Sequence, residues 1–345
     1  QTYQAEAKIT YDGAYAGGVA IGDINNDDKN ELVVVWNNWD DWNKSGAIVY
    51  KWNGNDYEEM QFIHLENLWI YYDCYIGDYN GDGKNELLLF GWVYNGAEIT
   101  IYGWDNDSEM LKKVASWDDP EGTYHETFIP SLCIADVDDD SMPEIICGPG
   151  HTLVVVDYEN NQFNYTLVYK WKGVDVWSYG VAAGDINGNG IPEILVGLGG
   201  RASEVPTAYM FEYNPKTKQY EEVWNKTWDD EKNVVEAVDI GDADNDGKDE
   251  ACVATDHVHI IGWNGVKYYE EAAINETYGI LPDVHVGDCD NDGKNELLTE
   301  TLRETEGLPY KVWIFKYANS DATPPILTVE KPGNYLYIFN KEILP

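Results

Sequence analysis

Positive charge is scarce in this chain. Its 345 residues include 22 lysines and arginines against 63 aspartates and glutamates, for a net charge of −41, and only Arg201 and Arg303 are arginines. A field of that sign repels phosphate backbones and anionic bilayers at physiological salt, so nucleic acid is not an expected partner. Long apolar runs are missing as well. None approaches the roughly 18 residues that would span a bilayer, and residue 1 onward shows neither the basic nor the apolar region of a signal peptide. The expectation is a mature or trimmed chain with no membrane insertion. The five cysteines (Cys74, Cys133, Cys147, Cys252 and Cys289) stand singly, without CxxC spacing. That argues against zinc and thioredoxin-type chemistry, and their odd number leaves at least one outside any intrachain pair. GxSxG and Cys–His arrangements are absent and the six histidines are scattered, so hydrolysis by an activated nucleophile has no support.

What the chain has in abundance is a repeat. GDINNDDKNEL from Gly22, GDYNGDGKNEL from Gly77, ADVDDDSMPEI from Ala135, GDINGNGIPEI from Gly184, GDADNDGKDEA from Gly241 and GDCDNDGKNEL from Gly287 are versions of one segment. Their leading aspartates lie 55, 58, 49, 57 and 46 residues apart. A period of that size points to a repeat architecture, and the flanking β-branched and aliphatic runs make each unit a set of strands around a tight acidic loop. A third apolar strand and a fourth, more polar and alternating one complete each unit. Six four-stranded antiparallel units read as an all-β, six-bladed β-propeller over residues 1–320. The sixth unit runs out after YKVWIFKY, while Tyr3–Tyr11 has the alternation of an orphan fourth strand. The N-terminal strand is therefore expected to close the last blade, with an open ring or a missing seventh blade as the alternative.

Within each loop, oxygen-bearing side chains recur at positions 1, 3, 5 and 9. Alternate side chains of a tightly curled loop converge, a backbone carbonyl at position 7 adds a donor, and hard oxygens at that density suit Ca²⁺. The expected ligands are Asp23, Asn25, Asp27, Lys29 and Glu31; Asp78, Asn80, Asp82, Lys84 and Glu86; Asp136, Asp138, Asp140, Met142 and Glu144. In the second half of the chain they are Asp185, Asn187, Asn189, Ile191 and Glu193; Asp242, Asp244, Asp246, Lys248 and Glu250; Asp288, Asp290, Asp292, Lys294 and Glu296. Lys29, Lys84, Met142, Ile191, Lys248 and Lys294 enter only through their carbonyls. A glutamate at position 9 between β-runs is not an EF-hand, which needs it at 12 between helices. Up to six Ca²⁺ are expected, and they would offset part of the self-repulsion that 63 acids create. Loop four, with only Asp185 and Glu193 as carboxylates, is expected to bind most weakly. Position 6 calls for a positive φ, and Ser141 tolerates that less well than glycine, so loop three is expected to be distorted.

On these residues the chain resembles the FG-GAP/VCBS repeat family, the propellers of integrin α-subunits and of many microbial secreted proteins, over roughly residues 3–318. The resemblance implies the calcium loops named above. It differs from the integrin form in having Glu at position 9 and no FG or GAP tripeptides in register. It implies a secreted or cell-surface chain, to which five Asn-x-Ser/Thr sequons, beginning at Asn43, Asn106, Asn164, Asn225 and Asn275, add little. Residues 321–345 read as a linker or the start of a truncated immunoglobulin-like domain, with further domains expected C-terminally.

The expected activity is adhesion: recognition of a glycan or a surface protein through the face opposite the acidic loops. Trp36, Trp39, Trp42, Tyr71 and Tyr72 fall on that face, where aromatics beside carboxylates can stack on sugars and bond their hydroxyls. Trp39, Asp40, Asp41, Trp42, Tyr71 and Tyr72 are the candidate ligand residues, with the tyrosines on a loop leading into the second blade. The alternatives are a rhamnogalacturonan-type polysaccharide lyase, for which Arg201 and Arg303 are candidate bases, and a purely structural spacer. Finally, pairing Asp136 with Glu144 across loop three would set Cys133 opposite Cys147, within reach of a disulfide.

Overall fold

The computed structural model describes residues 15–38, 44–54, 56–64, 68–93, 96–119, 131–171, 177–199, 206–231, 234–275, 277, 281, 283–288, 293–301 and 311–317. They form 23 strands in six antiparallel sheets, and no α-helix occurs among them. Blade one comprises β1 (Tyr15–Gly22), β2 (Glu31–Asn37), β3 (Gly46–Trp52) and β4 (Tyr57–His64). Blade two comprises β5 (Leu68–Gly77), β6 (Glu86–Val93), β7 (Gly96–Asp105) and β8 (Met110–Asp118), and blade three β9 (Leu132–Ala135), β10 (Glu144–Cys147), β11 (Thr152–Glu159) and β12 (Gln162–Lys170). Blade four has β13 (Trp177–Gly184), β14 (Glu193–Gly199), β15 (Thr207–Asn214) and β16 (Gln219–Thr227). Blade five has β17 (Ala237–Gly241), β18 (Glu250–Ala254), β19 (Val258–Trp263) and β20 (Tyr268–Ile274), and blade six β21 (Val284–Gly287), β22 (Glu296–Thr301) and β23 (Lys311–Lys316). Strands pair in sequence order, giving the six blades of a β-propeller with 4, 4, 4, 4, 4 and 3 strands. Blades one to three form one compact unit and blades four to six another. Tyr3–Tyr11, expected to complete blade six, and residues 321–345 lie outside the described residues.

The sequence pattern explains the layering. Second strands such as ELVVVWN and EILVGLG are apolar at nearly every position and buried along almost their whole length. In β2, Val33 and Val35 face Leu87 and Leu89 of blade two, while Val34 and Trp36 pack with Ile48 and Tyr50. Phe90 and Ile99 of blade two meet Ile145 and Val154 of blade three, and Leu195 and Met210 of blade four meet Val253 and Ile261 of blade five. Each such side chain removed from water contributes about 1.5–3 kcal/mol before the entropy of ordering is subtracted. Fourth strands alternate and are mostly exposed, as in β12 and β16. Their blades are close enough that Gly180 admits no side chain: a Cβ there would lie 2.9 Å from the backbone nitrogen of Val238. In blades one to five the third and fourth strands also share a β-bulge, at Val49/Tyr50, Ile101/Tyr102, Leu153/Val154, Met210/Phe211 and Ile260/Ile261. A bulge sharpens local twist, and its recurrence is a second structural period that the residue pattern did not announce.

Three expectations are corrected. In all six blades the residue before the leading aspartate, not the aspartate itself, faces the position-9 glutamate: Gly22↔Glu31, Gly77↔Glu86, Ala135↔Glu144, Gly184↔Glu193, Gly241↔Glu250 and Gly287↔Glu296. The aspartate is drawn into the loop. That one-residue step sets Cys133 opposite Ile146 and Cys147 opposite Leu132, so the two cysteines point to opposite faces and no disulfide joins them. Trp36, placed on the ligand face from the sequence, is 7% exposed and belongs to the core. Tyr71 and Tyr72 lie within strand β5, beside a bulge between Tyr71 and Asp73, rather than on a loop.

Candidate functional site

Each acidic loop is curled by its own first side chain. The carboxylate of Asp23 accepts the backbone N–H groups of Asp27 (3.0 Å) and Asp28 (2.8 Å), and Asp78 those of Asp82 (3.2 Å) and Gly83 (2.8 Å). Asp136 takes Asp140 (3.2 Å) and Ser141 (2.9 Å), Asp185 takes Asn189 (3.0 Å) and Gly190 (2.8 Å), and Asp242 takes Asp246 (2.9 Å) and Gly247 (3.0 Å). In loop six Asp288 accepts from Gly293 at 2.8 Å, while Asp290 and Asp292 lie outside the described residues. The position-5 side chains of Asp27, Asp82, Asp140, Asn189 and Asp246 then accept the N–H of position 7, from Lys29, Lys84, Met142, Ile191 and Lys248, at 2.8–3.0 Å. These bonds force positive φ at two positions. Position 6 was expected; position 4 was not, and there Asn26, Gly81, Asp139, Gly188 and Asn245 have φ between 59° and 72°. Ser141 takes φ 72° with the same bonds as its counterparts, so loop three is not distorted.

The position-9 glutamates form the floor. Glu31, Glu86, Glu144, Glu193, Glu250 and Glu296 are all buried. Glu31, Glu193 and Glu250 accept the N–H of position 2, from Ile24 (3.2 Å), Ile186 (2.8 Å) and Ala243 (2.9 Å). The position-2 side chains of Ile24, Tyr79, Val137, Ile186 and Ala243 are buried in turn, anchoring each loop to the core. Burial, reinforced by neighbouring loop carboxylates, pushes Glu86 up to about 8 and Glu250 to about 7, and raises Glu31. Adjacent loops are stitched together: Asn85 donates to Asn26 Oδ1 (3.2 Å) and to the Asp23 carbonyl (3.0 Å), and Asn295 donates to Asn245 Oδ1 (2.7 Å) and to the Asp242 carbonyl (3.0 Å). Position 8 carries this contact, which reading positions 1, 3, 5 and 9 alone had passed over.

Two loops gather carboxylates tightly. In loop three, oxygens of Asp136, Asp138, Asp140 and Glu144 lie within 4.8 Å of one another, and in loop five those of Asp242, Asp244 and Glu250 do so. The donor set suits a hard divalent cation, and among the described residues Asn25 Oδ1 and Glu86 Oε2 are buried oxygens without a hydrogen-bond partner, as metal-facing atoms would be. Loop four is different. Asn187 Nδ2 donates to Glu193, to Glu212 Oε2 (2.5 Å) and to Tyr268 Oη (3.1 Å), and the Tyr268 hydroxyl donates to Glu193. Burial and the nearby Glu212 still lift Glu193 to about 7. In loop six, Lys316 Nζ stands 3.0 Å from Glu296 Oε1. Glu212, Tyr268 and Lys316 come from other strands and were not legible as site residues.

Trp39, Asp40, Asp41 and Trp42 lie outside the described residues, as do the side chains of Tyr71 and Tyr72. At the blade ends opposite the acidic loops, the described residues show instead a cavity between blades four and five, lined by Lys226, Trp228, Glu231, His259 and Glu270 among others.

Residues 136–196, from the head of loop three through most of β14, match the FG-GAP-like repeat family. No curated protein matches the chain. A propeller of this kind suits a binding or structural module. With one loop and one hairpin register recurring in all six blades, the chain is a six-bladed β-propeller, and the stretch from its third loop into its fourth blade matches the FG-GAP-like repeat.

Proposed function

We propose that the chain is a calcium-stapled binding module of a secreted or cell-surface protein, recognising a glycan or a protein through the blade ends opposite the acidic loops. The observation that carries the calcium reading is loop five. Asp242, Asp244 and Glu250 converge within 4.8 Å, and Glu250 and Asp244 are raised by burial and mutual repulsion. Among the described residues Lys248 pairs with Asp246, 2.9 Å away on the exposed side of the loop. A carboxylate cluster with a buried floor needs a counter-charge, and a cation with six to eight oxygen ligands supplies it. The donors would be the side chains at positions 1, 3, 5 and 9 with the carbonyl at 7. Bound calcium would tie the first two strands of a blade together. Elemental analysis of the purified chain after gel filtration in micromolar calcium tests this: bound calcium above two per chain is expected, and none bound would remove the proposal. Glycan-array binding in calcium would separate a glycan-recognising module from a spacer, which would bind nothing.

A further inference from the structure

The cavity between blades four and five has a volume of about 560 Å³, within the range of small-molecule sites. His259, 4% exposed, forms part of its wall. The ring lies between two carboxylates: Nε2 is 2.7 Å from Glu231 Oε1, and Nδ1 is 3.4 Å from Glu270 Oε2. One face of the ring rests on Trp228, with centroids 4.6 Å apart. Glu231 is held further by the Thr255 hydroxyl and by the Asp256 N–H at 2.9 Å. Glu270 accepts from Lys226 and, at 3.3 Å, from Trp228 Nε1. Burial works against ionisation of both glutamates, but these bonds outweigh it and hold each carboxyl below its usual range. The wall is thus fixed and charged before any ligand arrives.

Three observations select the ligand class. First, Asp230, Glu231, Asp256 and Glu270 line the cavity against one lysine, in a chain of net charge −41 whose field draws cations toward it. Second, those acids do not converge as the loop acids do: among the described residues, groups close enough to grip one ion occur in loops three and five, not here. An extended cation fits better than a metal ion. Third, the chain already places an ammonium here, since Lys226 Nζ pairs with Glu270 and sits 5.2 Å from the centroid of Trp228. Trp228 itself is 4% exposed and leaves no open face on which a sugar ring could stack.

We propose that this cavity binds a small organic ammonium, a primary amine carried by a polyamine or by an amino sugar, between the carboxylates of Asp230, Asp256 and Glu270. This deepens the reading of the chain as a binding module and is independent of whether the loops hold calcium. The experiment is calorimetric titration of the full chain, in calcium so that the loops do not compete, with cadaverine, glucosamine and glucose. Saturable one-to-one binding of either amine, with none of glucose, is expected; cadaverine alone would name the polyamine source and glucosamine alone the amino sugar. Glu270→Gln should weaken binding about tenfold, Ala273→Phe, which fills the cavity, should abolish it, and Asp246→Asn in loop five should leave it unchanged. Because Glu270 also anchors Lys226, melting curves of both cavity variants accompany the titration. No saturable binding, equal binding of glucose, or amine binding that survives both cavity variants would overturn the assignment. A glycan-array hit in the absence of amine binding would spare the module reading while removing this site.

Discussion

Loops four and five sit on neighbouring blades, share a hairpin register and are curled by the same pair of bonds to a leading aspartate. They treat the buried glutamate in opposite ways. In loop four the amides of Asn187 and Asn189 and the hydroxyl of Tyr268 surround Glu193 and Glu212 with donors. In loop five the equivalent positions are Asp244 and Asp246, so beyond its backbone bond from Ala243 Glu250 meets more negative charge where Glu193 meets side-chain donors. One loop is satisfied by hydrogen bonds from its own chain; the other is a cage of carboxylates with a charge to be balanced. The sequence expectation that loop four binds calcium most weakly has a structural rationale in those donors, although Glu212 adds back a carboxylate at its edge.

The largest effect should come from Glu250→Gln, and its sign should depend on the metal. In calcium the substitution removes a ligand carboxylate, and losing a site held at a hundredfold excess over its dissociation constant costs about 2.7 kcal/mol. In chelator at pH 8 it removes a strained buried charge and should stabilise by a few kcal/mol, at about 1.4 per pKa unit. Glu193→Gln relieves a charge raised to the same value but forfeits the Tyr268 and Asn187 bonds, so it should stabilise less in chelator, and it should cost less in calcium. Paired denaturant melts check this, and the same response in both loops would break the comparison.

The pH dependence sharpens it. Glu86 at about 8 and Glu193 and Glu250 at about 7 in the folded chain lie above the usual unfolded value near 4.3. Between those limits the folded state binds more protons than the unfolded one, so stability is fully present below about pH 4.3 and lost as pH rises through 7 to 8. Melting curves in chelator should therefore fall from pH 5 to pH 8. In calcium the slope should flatten or reverse, because binding needs the deprotonated carboxylates.

A smaller effect is expected at loop six, where Lys316 supplies an internal counter-charge. Lys316→Met in chelator should cost about 1–3 kcal/mol, less than a fully buried pair because the lysine keeps a third of its surface in water. Calcium should restore most of it. The smallest belongs to His285, paired with Asp239 and Asp283 and raised by both. Its contribution is present below about pH 6.5 and lost as pH rises through its higher folded value, and exposure limits it to under about 1 kcal/mol. His285→Gln melts at pH 6 and pH 11 read that difference.

The six loops and the strand order of the blades were legible because each rests on local chemistry: Asp, Asn and Gly at fixed offsets, then β-branched runs. What was not legible depends on contacts between distant segments. The hairpin register slipped by one because Asp136 bonds inward to Ser141 rather than across to Glu144, a choice no periodicity records. Asn85 and Asn295 read as loop filler until the next blade's loop is beside them. The cavity draws on residues 226–231, 256–259 and 270–275, none of which carries a motif alone. Trp36 misled because only Asn37 and Asn38 separate it from Trp39, and neither marks in the sequence that the strand runs on through Asn37.

The most direct measurement is thermal unfolding of the metal-stripped chain at pH 7.5, titrated separately with calcium chloride, magnesium chloride and sodium chloride matched for ionic strength. If the repeated loops are calcium staples, the melting temperature should climb steeply with calcium and saturate, move much less with magnesium, whose stricter octahedron the loops do not match, and respond to sodium only through weak screening. Superimposable curves in calcium, sodium chloride and chelator would contradict the account.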